Sequence, residues 1–301
     1  MNKINFYHSL IFFKLSIFLC AFEFLRDNSL IIMCLFLILS LGITHGALDH
    51  LKGKKLLKVL NHKSSSTFYI LYILTGLSII ILWLLFSKFL LLIFLIVASH
   101  HFGKEDSEFI NSKSNINLTY FFKGSLIITA PLLFHKTETL NIFNNLNFDI
   151  PYNLFISSEF LWIFVAASLF ANIFISLNKH IDIKSLLLMD FISILILNYF
   201  LNPILAFTVY FCFLHSIRHA FKLSNELNKK NFIKGFKEFL IKAIPLTILT
   251  AFLFLISLFF LYNYYFLNDA ISKVIFIGLA SLTFPHILLE YLLEKNEKQR
   301  N

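Results

Sequence analysis

Charge is scarce in this chain. Asp, Glu, Lys and Arg make up 14% of its 301 residues, against about 25% in soluble domains. That is too little polar surface to cover a globule of this size, which excludes an ordinary cytosolic enzyme and a disordered chain. Glycine (8) and proline (5) are also few. There is no Gly-rich loop, no P-loop and no other phosphate, sugar or nucleotide motif. The three cysteines, Cys20, Cys34 and Cys212, lie in apolar stretches without metal-type spacing, which excludes a disulfide framework and a zinc finger. What is abundant is apolar: 58% hydrophobic residues and a mean hydropathy of +0.77. The composition therefore reads as an all-α, polytopic membrane protein forming one integral-membrane domain over residues 1–301. The net charge of +9 is expected from lysine-rich cytoplasmic loops rather than from a nucleic-acid partner.

Apolar runs near 20 residues predict ten transmembrane helices, at about 9–25, 29–48, 67–86, 88–102, 118–135, 155–177, 184–201, 203–221, 240–262 and 271–292. The first run is followed by no small-residue cleavage signal and reads as a retained span. Asn202-Pro203 separates the seventh from the eighth. With ten spans, the termini and the loops after even-numbered helices share one side. That side carries 18 Lys and Arg, including Lys52, Lys54, Lys55, Lys58 and Lys63, while the other carries 4, Arg26, Lys88, Lys136 and Lys273. The bias places both termini in the cytoplasm and the chain, as a multi-pass protein, in the inner cell membrane.

Histidine is the chemically informative residue, with 11 in the chain. Clusters fall near the cytoplasmic ends of four even-numbered helices: His45 and His50, His100 and His101, His215 and His219, and His286 after Pro285. Such helices all run in the same direction, so the clusters share one membrane depth. Polar groups inside a bilayer are costly, and four clusters at one level point to a shared site. His215 and His219 are i,i+4 and lie on one helix face. His100 and His101 diverge by about 100°, so only one of them faces a given centre. His50 is about 140° from His45 and is expected toward the headgroups. His8, His62, His135 and His180 lie at span edges or in loops and are expected to be interfacial or solvated.

Acidic residues recur at the same depth. Asp49 is i+4 from His45 and is expected to orient its imidazole or to ligate weakly. Glu290 is i+4 from His286, Asp106 follows the His-Phe-Gly step, and Asp190 lies two turns into the seventh helix. With His286, these are candidate partners behind the metal-bound histidines. Arg218 is expected to pair with one of the acids or to snorkel. An imidazole site without cysteine suits Zn, Fe, Cu or Ni. In so apolar a bundle, iron and O2 chemistry on a lipid-soluble substrate fits best.

These motifs resemble the Brp/Blh family of membrane β-carotene 15,15'-dioxygenases. The chain has Thr44-His45-Gly46-Ala47-Leu48-Asp49, His100-His101-Phe102-Gly103 with Asp106, Tyr210-Phe211-Cys212-Phe213-Leu214-His215-Ser216-Ile217-Arg218-His219, and Gly278-Leu279-Ala280-Ser281-Leu282-Thr283-Phe284-Pro285-His286, in the family's order. The resemblance implies Fe2+ held by His45, His101, His215 and His219 as the catalytic residues. It implies O2-dependent cleavage of β-carotene to two molecules of all-trans-retinal, which a retinal-binding rhodopsin would take up, with membrane lipid as the medium that delivers substrate. Thr44 stands where the family usually has Pro, and residues 9–25 have no counterpart in the pattern. Two other readings compete. A histidine-rich di-iron desaturase or hydroxylase would carry eight or more histidines in loop-borne boxes. A proton-coupled transporter would use the histidines and acids as a relay and would show broken helices and internal repeats.

Overall fold

The computed structural model describes residues 2–22, 30–61, 65–110, 117–148 and 157–298. His62, Arg26, Lys63, Lys113 and Arg300 lie outside them. The described residues are helical throughout, with no strand. In chain order the helices are α1 (Asn2–Cys20), α2 (Ile31–Ser40), α3 (Asp49–Val59), α4 (Ser65–Glu105), α5 (Asn117–Phe134), α6 (Lys136–Asn145), α7 (Ser158–Ser176), α8 (Ile181–Phe200), α9 (Pro203–Val209), α10 (Ile217–Leu227), α11 (Phe232–Tyr262) and α12 (Leu267–Lys298). A 3-10 turn, Gly42–Gly46, joins α2 to α3, and a π-helical segment, Tyr210–Ser216, joins α9 to α10.

Among the described residues, seven stretches are long and apolar enough to cross a bilayer: Ile31–Val59, Ser66–Glu105, Ser158–Ser176, Ile181–Phe200, Pro203–Leu227, Phe232–Tyr262 and Leu267–Asn296. An eighth arises if α5 and α6, bent by 111° at their junction, count as one broken span. This measure does not reach the ten spans expected from the sequence, for identifiable reasons. The expected 9–25 run begins earlier, as α1, where Lys3, Asn5, His8 and Lys14 dilute its apolar character. The expected third and fourth spans form one helical element, α4, interrupted at Phe86 (φ −137°, ψ 45°). That interruption reverses the chain. Trp83 and Phe94 have ring centroids 6.2 Å apart, whereas eleven residues of straight helix would separate them by about 16 Å.

Bundle packing brings the backbones close where side chains are smallest. A Cβ on Gly103 would lie 1.8 Å from the Tyr120 carbonyl oxygen, and one on Gly124 would lie 1.9 Å from that of Ser99. The Gly of the His-Phe-Gly step is therefore a contact of α4 with α5, as small residues are between membrane helices. Pro203–Leu227 is largely buried at the centre of the bundle. α11 lies at its edge and turns Ile241, Ile248, Phe252 and Phe259 outward, as a lipid-facing helix does.

Candidate metal centre

Five imidazoles from five backbone segments meet in one buried cluster. His45 comes from the 3-10 turn after α2, His101 from the last turns of α4, His215 from the π-helical segment, His219 from α10 and His286 from α12. The His45 ring lies 4.0 Å from that of His219, 4.6 Å from His215, 4.8 Å from His286 and 5.6 Å from His101, centroid to centroid. None of the five is more than 8% exposed. His100 turns away, half-buried, with its ring edge-on to Tyr120, as the 100° divergence of neighbouring helical positions requires.

The local backbone explains the convergence. A π-helical stretch is a single-turn widening that recurs at functional sites. Here it carries His215 on the same long helix as His219. Thr44 sits inside the 3-10 turn, where its hydroxyl donates to the Leu41 carbonyl at 2.6 Å and braces the turn. Phe102 and Phe211 close the apolar wall around His215, with ring centroids 4.8 and 5.7 Å away.

Two carboxylates fix two of the imidazoles from behind. His215 Nδ1 donates to Asp106 Oδ1 at 2.9 Å, and Tyr210 donates its hydroxyl to Asp106 Oδ2 at 2.7 Å. His286 Nδ1 donates to Asp49 at 2.8 Å, and Tyr72 donates to the same carboxylate at 2.7 Å. With Nδ1 so engaged, Nε2 of each ring faces the centre of the cluster, which is the arrangement of metal-bound histidines. Burial works against ionisation of Asp106. His215 at its side, with Lys123 and Arg218, outweighs it and holds the carboxyl well below the usual carboxylate range.

Three expectations need correction. Asp49 orients His286 rather than His45, because residues 42–46 form a 3-10 turn and the α-helical i,i+4 relation does not hold across it. Asp190 touches no member of the cluster. It pairs with the buried Arg218, Nη1 to Oδ2 at 2.8 Å and Nη2 to Oδ1 at 3.3 Å. Arg218 also donates to the Asp106 carbonyl and to Ser9 of α1. Glu290 stands 3.9 Å from His286 Nε2, as its i+4 spacing implies, and also pairs with Lys52 at 2.8 Å; with His101, Glu105 and His286 it forms one group of possible metal donors. His8, expected to be interfacial, is buried and bonds the Phe213 carbonyl at 2.8 Å. It is thus a contact between α1 and the π-helical segment. His135 and His180 are more exposed and pair with Glu138 and Asp182.

Sequence reasoning missed Glu105. Its side chain reaches the centre of the cluster, with Oε2 3.1 Å from His45 Nε2 and 3.2 Å from His219 Nδ1. Its signal was present: Glu105 is i+4 from His101 and shares its face, whereas Asp106, at i+5, leaves that face and reaches His215 from outside.

The donor set fits a metal ion. His45, Glu105, His101 and His215 offer ligand atoms within 4.8 Å of one another, as do His45, Glu105, His219 and His286. The inward atoms of His45, His215 and His286 and both Glu105 oxygens are buried without a hydrogen-bond partner. Buried polar atoms without partners are costly. A cation coordinated by them removes that cost.

A family model described as beta-carotene 15,15'-dioxygenase matches residues 36–294. A beta-carotene 15,15'-dioxygenase from uncultured marine bacterium 66A03 is 27% identical over 266 residues, covering 84% of this chain and 90% of that protein. No solved structure matches significantly. All six residues of the cluster lie within the matched range, and α1 lies before it.

Proposed function

The chain belongs to the beta-carotene 15,15'-dioxygenase family, and from that premise we propose that it cleaves the central double bond of β-carotene with O2 to give two molecules of all-trans-retinal. The observation that carries this reading is the single buried cluster of His45, His101, His215, His219 and His286 in an apolar helical bundle. We assign Fe2+ to it, with His45, His101, His215 and His219 as its imidazole ligands. Ferrous iron supplies O2 activation when bound. The balance needs no other reductant: the 15,15' double bond breaks, two C=O bonds form, and both atoms of O2 enter the two aldehydes.

The chain's own residues perform the rest. Asp106 and Asp49 hold His215 and His286 in the tautomer that presents Nε2 inward. Phe102 and Phe211 keep water from the cluster on the His215 side. The outward apolar faces suit a substrate delivered from membrane lipid and a product released to it, where a retinal-binding rhodopsin takes it up. The ion pairs Lys52–Glu290, Lys104–Glu294 and Lys222–Glu108 close the same end of the bundle against the aqueous side. The polyene is about as long as the hydrocarbon core is thick (~30 Å), so with the cluster near one end it would lie tilted or bent toward that end, or the cluster sits deeper in the bilayer.

Expression in a β-carotene-accumulating bacterium tests the activity. Loss of orange colour with appearance of retinal is expected. Unchanged pigment, with the protein present in the membrane, overturns the reading. We also propose one integral-membrane domain in the inner cell membrane with ten crossings and both termini cytoplasmic, on the 18-to-4 division of Lys and Arg. Reporter fusions after residues 63, 113, 184, 235 and 301 are all expected to report cytoplasm. A periplasmic signal after residue 235 overturns the layout.

A further inference from the structure

Glu105 does not stand behind an imidazole, as Asp49 and Asp106 do, but in front of five. Oε2 lies 3.1 Å from His45 Nε2, 3.2 Å from His219 Nδ1, 3.6 Å from His215 Nε2 and 3.7 Å from His101 Nε2. Oε1 lies 3.7 Å from His286 Nε2. Its side chain is 3% exposed, and no hydrogen bond is aligned on either oxygen. A carboxylate so enclosed is costly unless paired.

Two of the surrounding rings offer it no donor. His215 and His286 donate from Nδ1 to Asp106 and Asp49. In the neutral tautomers that these bonds select, Nε2 is an acceptor. On the His215 and His286 sides, acceptor nitrogens therefore face an acceptor carboxylate. The inward nitrogens of His215 and His286 and both Glu105 oxygens converge as acceptors, an arrangement complementary to a cation.

We propose that Glu105 is a ligand of the metal, so that the donor set is mixed imidazole and carboxylate rather than imidazole alone. The proposal rests on reading the cluster as a metal site. An all-imidazole site would leave a divalent ion with its full charge in a medium of low dielectric, and one carboxylate halves it. An oxygen donor also moves the site away from soft-metal preference and toward ferrous iron. The placement follows from the helix: His101 and Glu105 are one turn apart at the end of α4 and present two donors from one face.

Metal binding tests this without carotene. Wild-type protein, Glu105→Gln and Glu105→Asp are purified in detergent, stripped with a chelator and titrated with Co(II), whose visible bands report the donor set, and separately with Fe(II). Glu105→Gln keeps size and shape. It is expected to bind at least on the order of 100-fold more weakly, beyond the 10–100-fold typical of residues behind the ligands, with shifted Co(II) bands. Glu105→Asp is expected to recover part of the affinity. In wild-type protein, Co(II) loading should also shift a carboxylate stretch in the infrared difference spectrum, a readout that needs no folded variant. Wild-type affinity and an unchanged Co(II) spectrum in Glu105→Gln overturn the proposal alone, as does an unshifted carboxylate band in metal-loaded wild-type protein. A wild-type protein that binds neither metal overturns the metal-site reading together with it.

Discussion

Replacing His215 or His219 by alanine is expected to remove bound iron and abolish retinal formation while leaving the protein in the membrane. Both rings are almost fully buried in the cluster. Residues behind metal ligands typically cost 10–100-fold in affinity or activity when removed, so loss of a ligand should exceed that, on the order of 1,000-fold in turnover. The truncation spares the helix, because alanine is the strongest helix former. His100→Ala is the matched control. It removes a half-buried imidazole one position from His101 that faces Tyr120, and turnover should stay within about a factor of three. The measurement is iron per protein and retinal per minute in the same detergent preparation. Normal iron and turnover in His219→Ala would sink the shared site.

Asp190→Ala is expected to destabilise the fold more than any substitution at the rim. The Arg218 guanidinium is 4% exposed and is neutralised through two contacts with Asp190. Removing one partner of a buried pair leaves an uncompensated charge, at about 3–5 kcal/mol. The effect should also reach the cluster, because Arg218 holds the backbone carbonyl of Asp106, whose side chain fixes His215. Thermal unfolding in detergent should show a large loss in Asp190→Ala and a smaller one in Asp190→Asn, which keeps an acceptor. The double variant Asp190→Ala/Arg218→Met should recover part of the loss, since an apolar replacement of a buried pair is often tolerated. A melting temperature for Asp190→Ala equal to that of wild type would remove the pair from any structural role.

Ser9 ties this network to α1, which lies outside the family match yet packs against its centre. Ser9 accepts from Arg218, and His8 bonds the carbonyl of Phe213 within the π-helical segment. From the sequence, His8 lay at the edge of an apolar run and carried no sign of a partner 205 residues away. Its burial is a property of the packed bundle.

The sequence by itself determined the helical membrane class, because so little charge cannot cover a soluble surface. It also determined which histidines share a depth, because helix direction and the periods of 3.6 residues fix depth and face before any packing occurs. That only one of His100 and His101 faces the cluster follows from the same 100° step, while the choice of His101 came from the resemblance of the His-Phe-Gly step to the family's pattern. Only the tertiary structure decided the partners across the bundle. It gave Asp49 to His286 because a 3-10 turn rotates Asp49 away from the His45 face, gave Asp190 to Arg218 rather than to an imidazole, and set Glu105 among five rings. Periodicity states where a side chain points from its own helix. Which group meets it there depends on how helices distant in sequence pack, and close approaches such as that of Gly103 to the Tyr120 carbonyl set that packing.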